Sequence, residues 1–129
     1  MKKLIAVLSI SALFLTGCGS GGGDVKNLGV SAFAEKIADK SIIRVDVRTP
    51  AEFASGHIEG AINIDWESGH FEADINALDK TKSYAIYCRS GNRSGQASAL
   101  MVQDGFKSIY NLKGGVIDWT MNSMTLVTK

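Results

Sequence analysis

A parallel α/β sheet covered by helices on both faces is the fold class this sequence predicts, and three observations lead to it. Apolar, strand-like runs alternate with segments of helical periodicity. The run from Ile42 to Val47 is β-branched, as a buried strand requires. Cap and turn residues punctuate the alternation at Thr49, Pro50, Gly56 and Gly105. The chain has 129 residues, 45% hydrophobic and 21% charged, which suits one domain with a modest core. A formal net charge of +1 gives no electrostatic case for nucleic acid or a strongly acidic partner.

The elements follow in order. Phe33, Ala34, Ile37 and Ala38 share a helical spacing, which predicts a helix over about 32–39 with Ser31 as its cap. Ile42 to Val47 is the first predicted strand. Thr49 then caps a second helix, Pro50 takes its first position and Gly56 stops it. Ala61 to Ile64 forms a short strand. Phe71, Ile75 and Leu78 mark one face of a third helix. The stretch SYAIYC is a strand ending at Cys88. A helix over about 94–104 follows, with Ala97, Leu100 and Met101 inward and Gly105 as its end. SIYNL is the last predicted strand, and GGVIDWTMN gives a turn and a short final helix. In such sheets a ligand site lies at the carboxyl ends of the strands, where Cys88 is placed.

The first residues read differently from the rest. Lys2 and Lys3 precede an apolar run from Leu4 to Leu15, too short to span a bilayer as a helix, and small residues follow. This is the pattern of a secretory signal over residues 1–17. The residues LTGC, Leu15 to Cys18, resemble the bacterial lipobox, and the resemblance implies cleavage before Cys18 and lipidation of its thiol. An ordinary signal peptide cut nearby is the other reading. Gly19 to Gly23 form a Gly/Ser run, and residues 18–26 are expected to be a flexible tether before a domain over 27–129. The chain is thus expected to be exported and held at a bacterial membrane, with its domain in the periplasm or outside the cell. Gly19, rather than the aspartate that marks inner-membrane retention, favours an outer-membrane or outward-facing position. Cleavage would remove both lysines and bring the formal charge to −1.

With Cys18 lipidated, Cys88 has no intramolecular partner in an oxidising compartment, so it is either buried and inert or used. Its surroundings favour use. CRSGNRS joins a strand to a helix, and Ser90, Gly91 and Asn92 permit a tight wrap. The amides of such a wrap converge on one point beside a helix N-terminus. That environment, with Arg89 and Arg93 nearby, lowers a thiol pKa. A two-unit drop is worth about 2.7 kcal/mol and lifts the thiolate fraction at pH 7 from about 3% to about 75%.

CRSGNRS, together with DVRTPAEFASGHIEGAINI and NLKGGVIDW, resembles a single-domain rhodanese, a sulfurtransferase; the match covers roughly Leu28 to Asn122. The resemblance implies a five-stranded parallel sheet. It implies that Cys88 takes a sulfane sulfur from an anionic donor such as thiosulfate, carries it as a persulfide, and yields it to cyanide or a thiol. No metal or organic cofactor is expected. The amides of Arg89, Ser90, Gly91, Asn92, Arg93 and Ser94 would hold the sulfur anion, and the guanidinium groups of Arg89 and Arg93 would attract the donor. Related phosphatases place five residues between cysteine and arginine; here four separate Cys88 from Arg93, a tighter ring suited to sulfur. A phosphatase or arsenate reductase is accordingly the weaker enzymatic alternative. A non-enzymatic domain that binds a sulfur species or a protein is the other.

Asp46 and Arg48 are expected to support the loop from the neighbouring strand or to form a structural ion pair, with Glu52 as a further partner. His57 is expected to be a turn residue bonded to backbone, His70 to face solvent, and Trp119 to lie in the core. His57, His70 and Cys88 lack metal-ligand spacing. A monomer suffices for everything described.

Overall fold

Strand β4, Ser83–Tyr87, is the centre of the molecule; Tyr84, Ala85, Ile86 and Tyr87 are all fully buried. Side chains alternate across a strand, so β4 feeds two cores. Tyr84, Ile86 and the following Cys88 join Val45, Phe71, Ile75, Ala97 and Met101 on one face. Ala85 and Tyr87 join Phe33, Ile37, Leu112 and Trp119 on the other. This two-sided burial is what a parallel sheet demands.

The computed structural model describes residues 23–129. The remaining elements are β1 Asp24–Leu28, α1 Val30–Ile37, β2 Ile43–Asp46, α2 Pro50–Ser55, β3 Ile62–Asn63, α3 Phe71–Asn76, α4 Asn92–Gln103, β5 Ser108–Leu112 and α5 Gly115–Met121. All strand pairs are parallel, in the order β1-β5-β4-β2-β3. The expected five-stranded α/β sheet is therefore the observed one. From β4 the chain crosses to β5 on one side; from β2 it crosses to β3 on the other. The carboxyl ends of β4 and β2 therefore mark the point where the winding reverses, the usual ligand site of an open α/β sheet.

Some expectations fall outside the described residues and others are corrected. The signal segment, Cys18 and the start of the tether lie outside the described residues. Asp24 to Lys26, expected in the tether, belong to β1, which pairs residue by residue with β5 from Asp24–Ser108 to Leu28–Leu112. As an edge strand, β1 is exposed or half-buried throughout, so it carries no apolar run to betray it. Helix α1 starts earlier than predicted, at Val30, with Gly29 as its cap; the Phe33 amide donates to the Gly29 carbonyl at 2.9 Å, and Ser31 lies within the first turn. Helix α4 begins two residues early, at Asn92, because Gly91 turns the chain in a left-handed conformation (φ +97°). Helix α2 follows its prediction: Thr49 and Glu52 form a reciprocal capping box, Pro50 opens the helix and Gly56 ends it.

Candidate active site

Cys88 follows directly on β4, its side chain 99% shielded from solvent. The next residues wrap around its sulfur. The Gly91 amide donates to Sγ at 3.1 Å. The wrap is oriented by α5, whose first amides take the loop's carbonyls: Val116 N–H donates to Cys88 O at 2.9 Å and Ile117 N–H to Arg89 O at 3.1 Å. With these carbonyls turned toward α5, the amides are left to face the sulfur.

Two glycines make this close approach possible. A Cβ on Gly91 would stand 2.0 Å from the Lys113 carbonyl oxygen; one on Gly115 (φ +63°) would stand 2.3 Å from the Arg89 carbonyl oxygen. Both positions also have left-handed backbones, which favour glycine.

Burial alone pushes the Cys88 thiol upward, but the Ser94 hydroxyl and the amides of Ser94, Ser90 and Gly91 outweigh it, so the pKa is lowered. The buried Ser94 hydroxyl meets no partner at full hydrogen-bonding geometry, yet of the four donors it acts most strongly on the sulfur. Ser94→Ala is expected to raise the thiol pKa without unfolding the protein. The pH dependence of Cys88 alkylation checks this; an unmoved inflection would remove Ser94 from the thiolate's support.

The predicted site residues separate into groups. Cys88, Ser90, Gly91 and Ser94 act at the sulfur. Asn92 is exposed and accepts from Gln96 Nε2 at 3.2 Å through its side chain. Arg89 is exposed, and its guanidinium has no acceptor among the described residues, unlike those of Arg44, Arg48 and Arg93.

Arg93 is not the open cation the sequence suggests. Its Nη1 donates to Glu52 Oε2 at 2.8 Å and its Nη2 to Glu52 Oε1 at 2.9 Å, a two-pronged pair. Nη1 also reaches Glu67 Oε2 at 3.3 Å. The Arg93 bond holds Glu52 far below its ordinary value, to about 2, with Thr49 adding to the effect.

Asp46 and Arg48 form the structural pair. Both are buried, with Arg48 Nη2 at 2.7 Å from Asp46 Oδ2 and Arg48 Nε at 3.0 Å from both carboxylate oxygens. Arg48 Nη2 also donates to the Gly56 carbonyl at 2.6 Å. Neither side chain bonds to the cysteine loop, so their support is indirect: they fix the exit of β2, whose Val47 amide donates to Tyr87 O at 3.0 Å just before Cys88. Glu52 is not their ion-pair partner. It belongs to Arg93, a pairing that sequence reasoning missed. The role of Asn63 was missed too: its Nδ2 holds the Asp46 and Arg48 carbonyls at 3.0 and 2.8 Å.

The expectations for His57, His70 and Trp119 are met. His57 Nδ1 lies 2.9 Å from the Phe53 carbonyl oxygen, and its ring stacks on Phe53. His70 is exposed beside Asp74. Trp119 is 4% exposed and donates to the Thr125 carbonyl.

A buried cysteine sulfur held among backbone amides at the switch point of a parallel sheet defines a class of small α/β proteins built around one cysteine loop. Within that class, residues 30–122 match the family of the rhodanese-like domain, and the chain belongs to it. It is 34% identical over 104 residues to a protein of Allochromatium vinosum named sulfurtransferase, covering 80% of this chain and 95% of that one. It is 36% identical over 87 residues to a tRNA uridine(34) hydroxylase of Pelagibacter ubique, covering 67% of this chain and 29% of that longer protein. Among solved structures, a rhodanese-related protein of Thermoplasma volcanium superposes with a TM-score of 0.72 at 29% identity, over 81% of this chain and 99% of that one.

Proposed function

We propose that this protein is a sulfurtransferase that moves a sulfane sulfur from a small anionic donor to a thiol or cyanide through a persulfide on Cys88. The carrying observation is the buried sulfur with its lowered pKa at the centre of converging amides. With thiosulfate as donor, the Cys88 thiolate attacks the outer sulfur. A new S–S bond forms, the donor's S–S bond breaks, and sulfite leaves with the electron pair. The terminal sulfur of the persulfide inherits the negative charge, and the nest that lowered the thiol's pKa suits that anion too. An acceptor nucleophile then attacks the terminal sulfur and restores the thiolate. The residues present supply every step, with no cofactor invoked.

The tRNA-hydroxylase relative is similar over only part of its length, so it gives no comparable reason to assign tRNA chemistry here. For the cellular setting, we retain the reading of a lipid anchor on Cys18 that holds a monomeric domain at the outer face of a membrane, on the strength of the LTGC motif alone.

Intact-mass measurement before and after thiosulfate tests the chemistry. The expected result is a gain of one sulfur atom on Cys88, removed by cyanide. No gain with thiosulfate, polysulfide or mercaptopyruvate would return the protein to the binding-domain reading.

A further inference from the structure

The sequence places two arginines beside Cys88, both expected to attract the donor. The side chains arrange otherwise. Arg93 is gripped by Glu52 and touched by Glu67. Glu52 is itself tied down, its Oε2 accepting from the Thr49 amide at 3.1 Å and the Thr49 hydroxyl at 3.0 Å, so the ion pair is anchored to the start of α2. The formal charges of the two loop arginines, Arg89 and Arg93, are thus matched by those of Glu52 and Glu67. Among the described residues Arg89 is the loop arginine without a carboxylate partner, and these four formal charges sum to zero.

A monoanionic and a dianionic donor differ by the interaction of one further charge with this site. The nest accommodates one charge, and four side-chain charges that sum to zero offer a second charge nothing. We infer that Glu67, acting with Glu52, is a specificity-determining residue that sets this site for monoanionic sulfane donors, of the organic thiosulfonate or persulfide class, over dianionic thiosulfate. The inference rests on the sulfurtransferase reading for the nature of the donor. Glu67 is the informative position. Its side chain is 57% exposed, and it takes no part in the capping box that Glu52 supports.

The test separates the charge at the thiolate from sulfur transfer. Cys88 is alkylated with anionic iodoacetate and with neutral iodoacetamide, in the wild type, Glu67→Gln and Arg89→Gln, at low and high ionic strength. The ratio of the two rates reads the local field whether or not the protein transfers sulfur. At low salt, Glu67→Gln is expected to raise the iodoacetate-to-iodoacetamide ratio about two- to threefold and Arg89→Gln to lower it by a similar factor, with both effects fading at high salt. In parallel, Glu67→Gln is expected to raise kcat/KM for thiosulfate relative to benzenethiosulfonate about two- to threefold. An unmoved alkylation ratio in Glu67→Gln overturns the inference, as does active sulfur transfer whose donor ratio does not change. A shifted alkylation ratio with both donors inert would uphold the charge assignment at the thiolate and bring down the sulfurtransferase reading instead.

Discussion

Cys88→Ser is expected to reduce sulfur transfer to the uncatalysed background while leaving the domain folded. The side chain is 1% exposed in a space of fixed size, and a hydroxyl occupies slightly less of it than a thiol. The Gly91 amide that donates to Sγ has an oxygen to donate to instead. The chemistry has no such substitute. A serine hydroxyl stays protonated in the range where the thiol has ionised, and it cannot carry a sulfur as a persulfide. The variant should therefore show a wild-type unfolding midpoint, no mass gain with any donor, and no turnover. Residual transfer well above background would mean that another group does the work. Among the described residues no second cysteine is available to do it.

Gly91→Ala is expected to be the most damaging change that removes no functional group. The backbone there has φ +97°, a region that costs an alanine about 1–3 kcal/mol. The added methyl would also stand 2.0 Å from the Lys113 carbonyl oxygen, a backbone atom that cannot rotate away. The loop must shift, carrying the Gly91 amide off the sulfur. We expect a loss of about 3 kcal/mol in a urea titration, together with a higher thiol pKa and a fall in persulfide formation. An alanine variant as stable and as acidic at Cys88 as the wild type would show that the nest does not depend on this contact.

What could be read from the sequence was local. The Thr49 cap, the stop at Gly56 and the cysteine loop each complete their physical logic within about seven residues. The ends of β4 and the two-sided burial of the sheet followed from apolar runs. What stayed hidden was settled by partners distant in sequence. DVKNL becomes a strand because β5 offers it a register, not because its own pattern asks for one. Arg93 meets Glu52 across 41 positions and Glu67 across 26, and no spacing rule joins them. The role of Gly115 likewise depends on a loop more than twenty residues earlier in the chain.

The pairing of β1 with β5 also sets a direction. In a parallel sheet every strand starts at one pole and ends at the other. The chain enters at Asp24, whose amide donates to the Lys107 carbonyl beside the start of β5, and Cys88 emerges at the far ends of the strands. A five-residue strand rises about 17 Å, so the sulfur and the point of entry stand apart by at least that length on opposite ends of the domain. Whatever is joined ahead of Gly23, be it a lipid, a bead or a fusion partner, pulls from behind. The pole that carries Cys88 is then the one turned away from whatever precedes the domain.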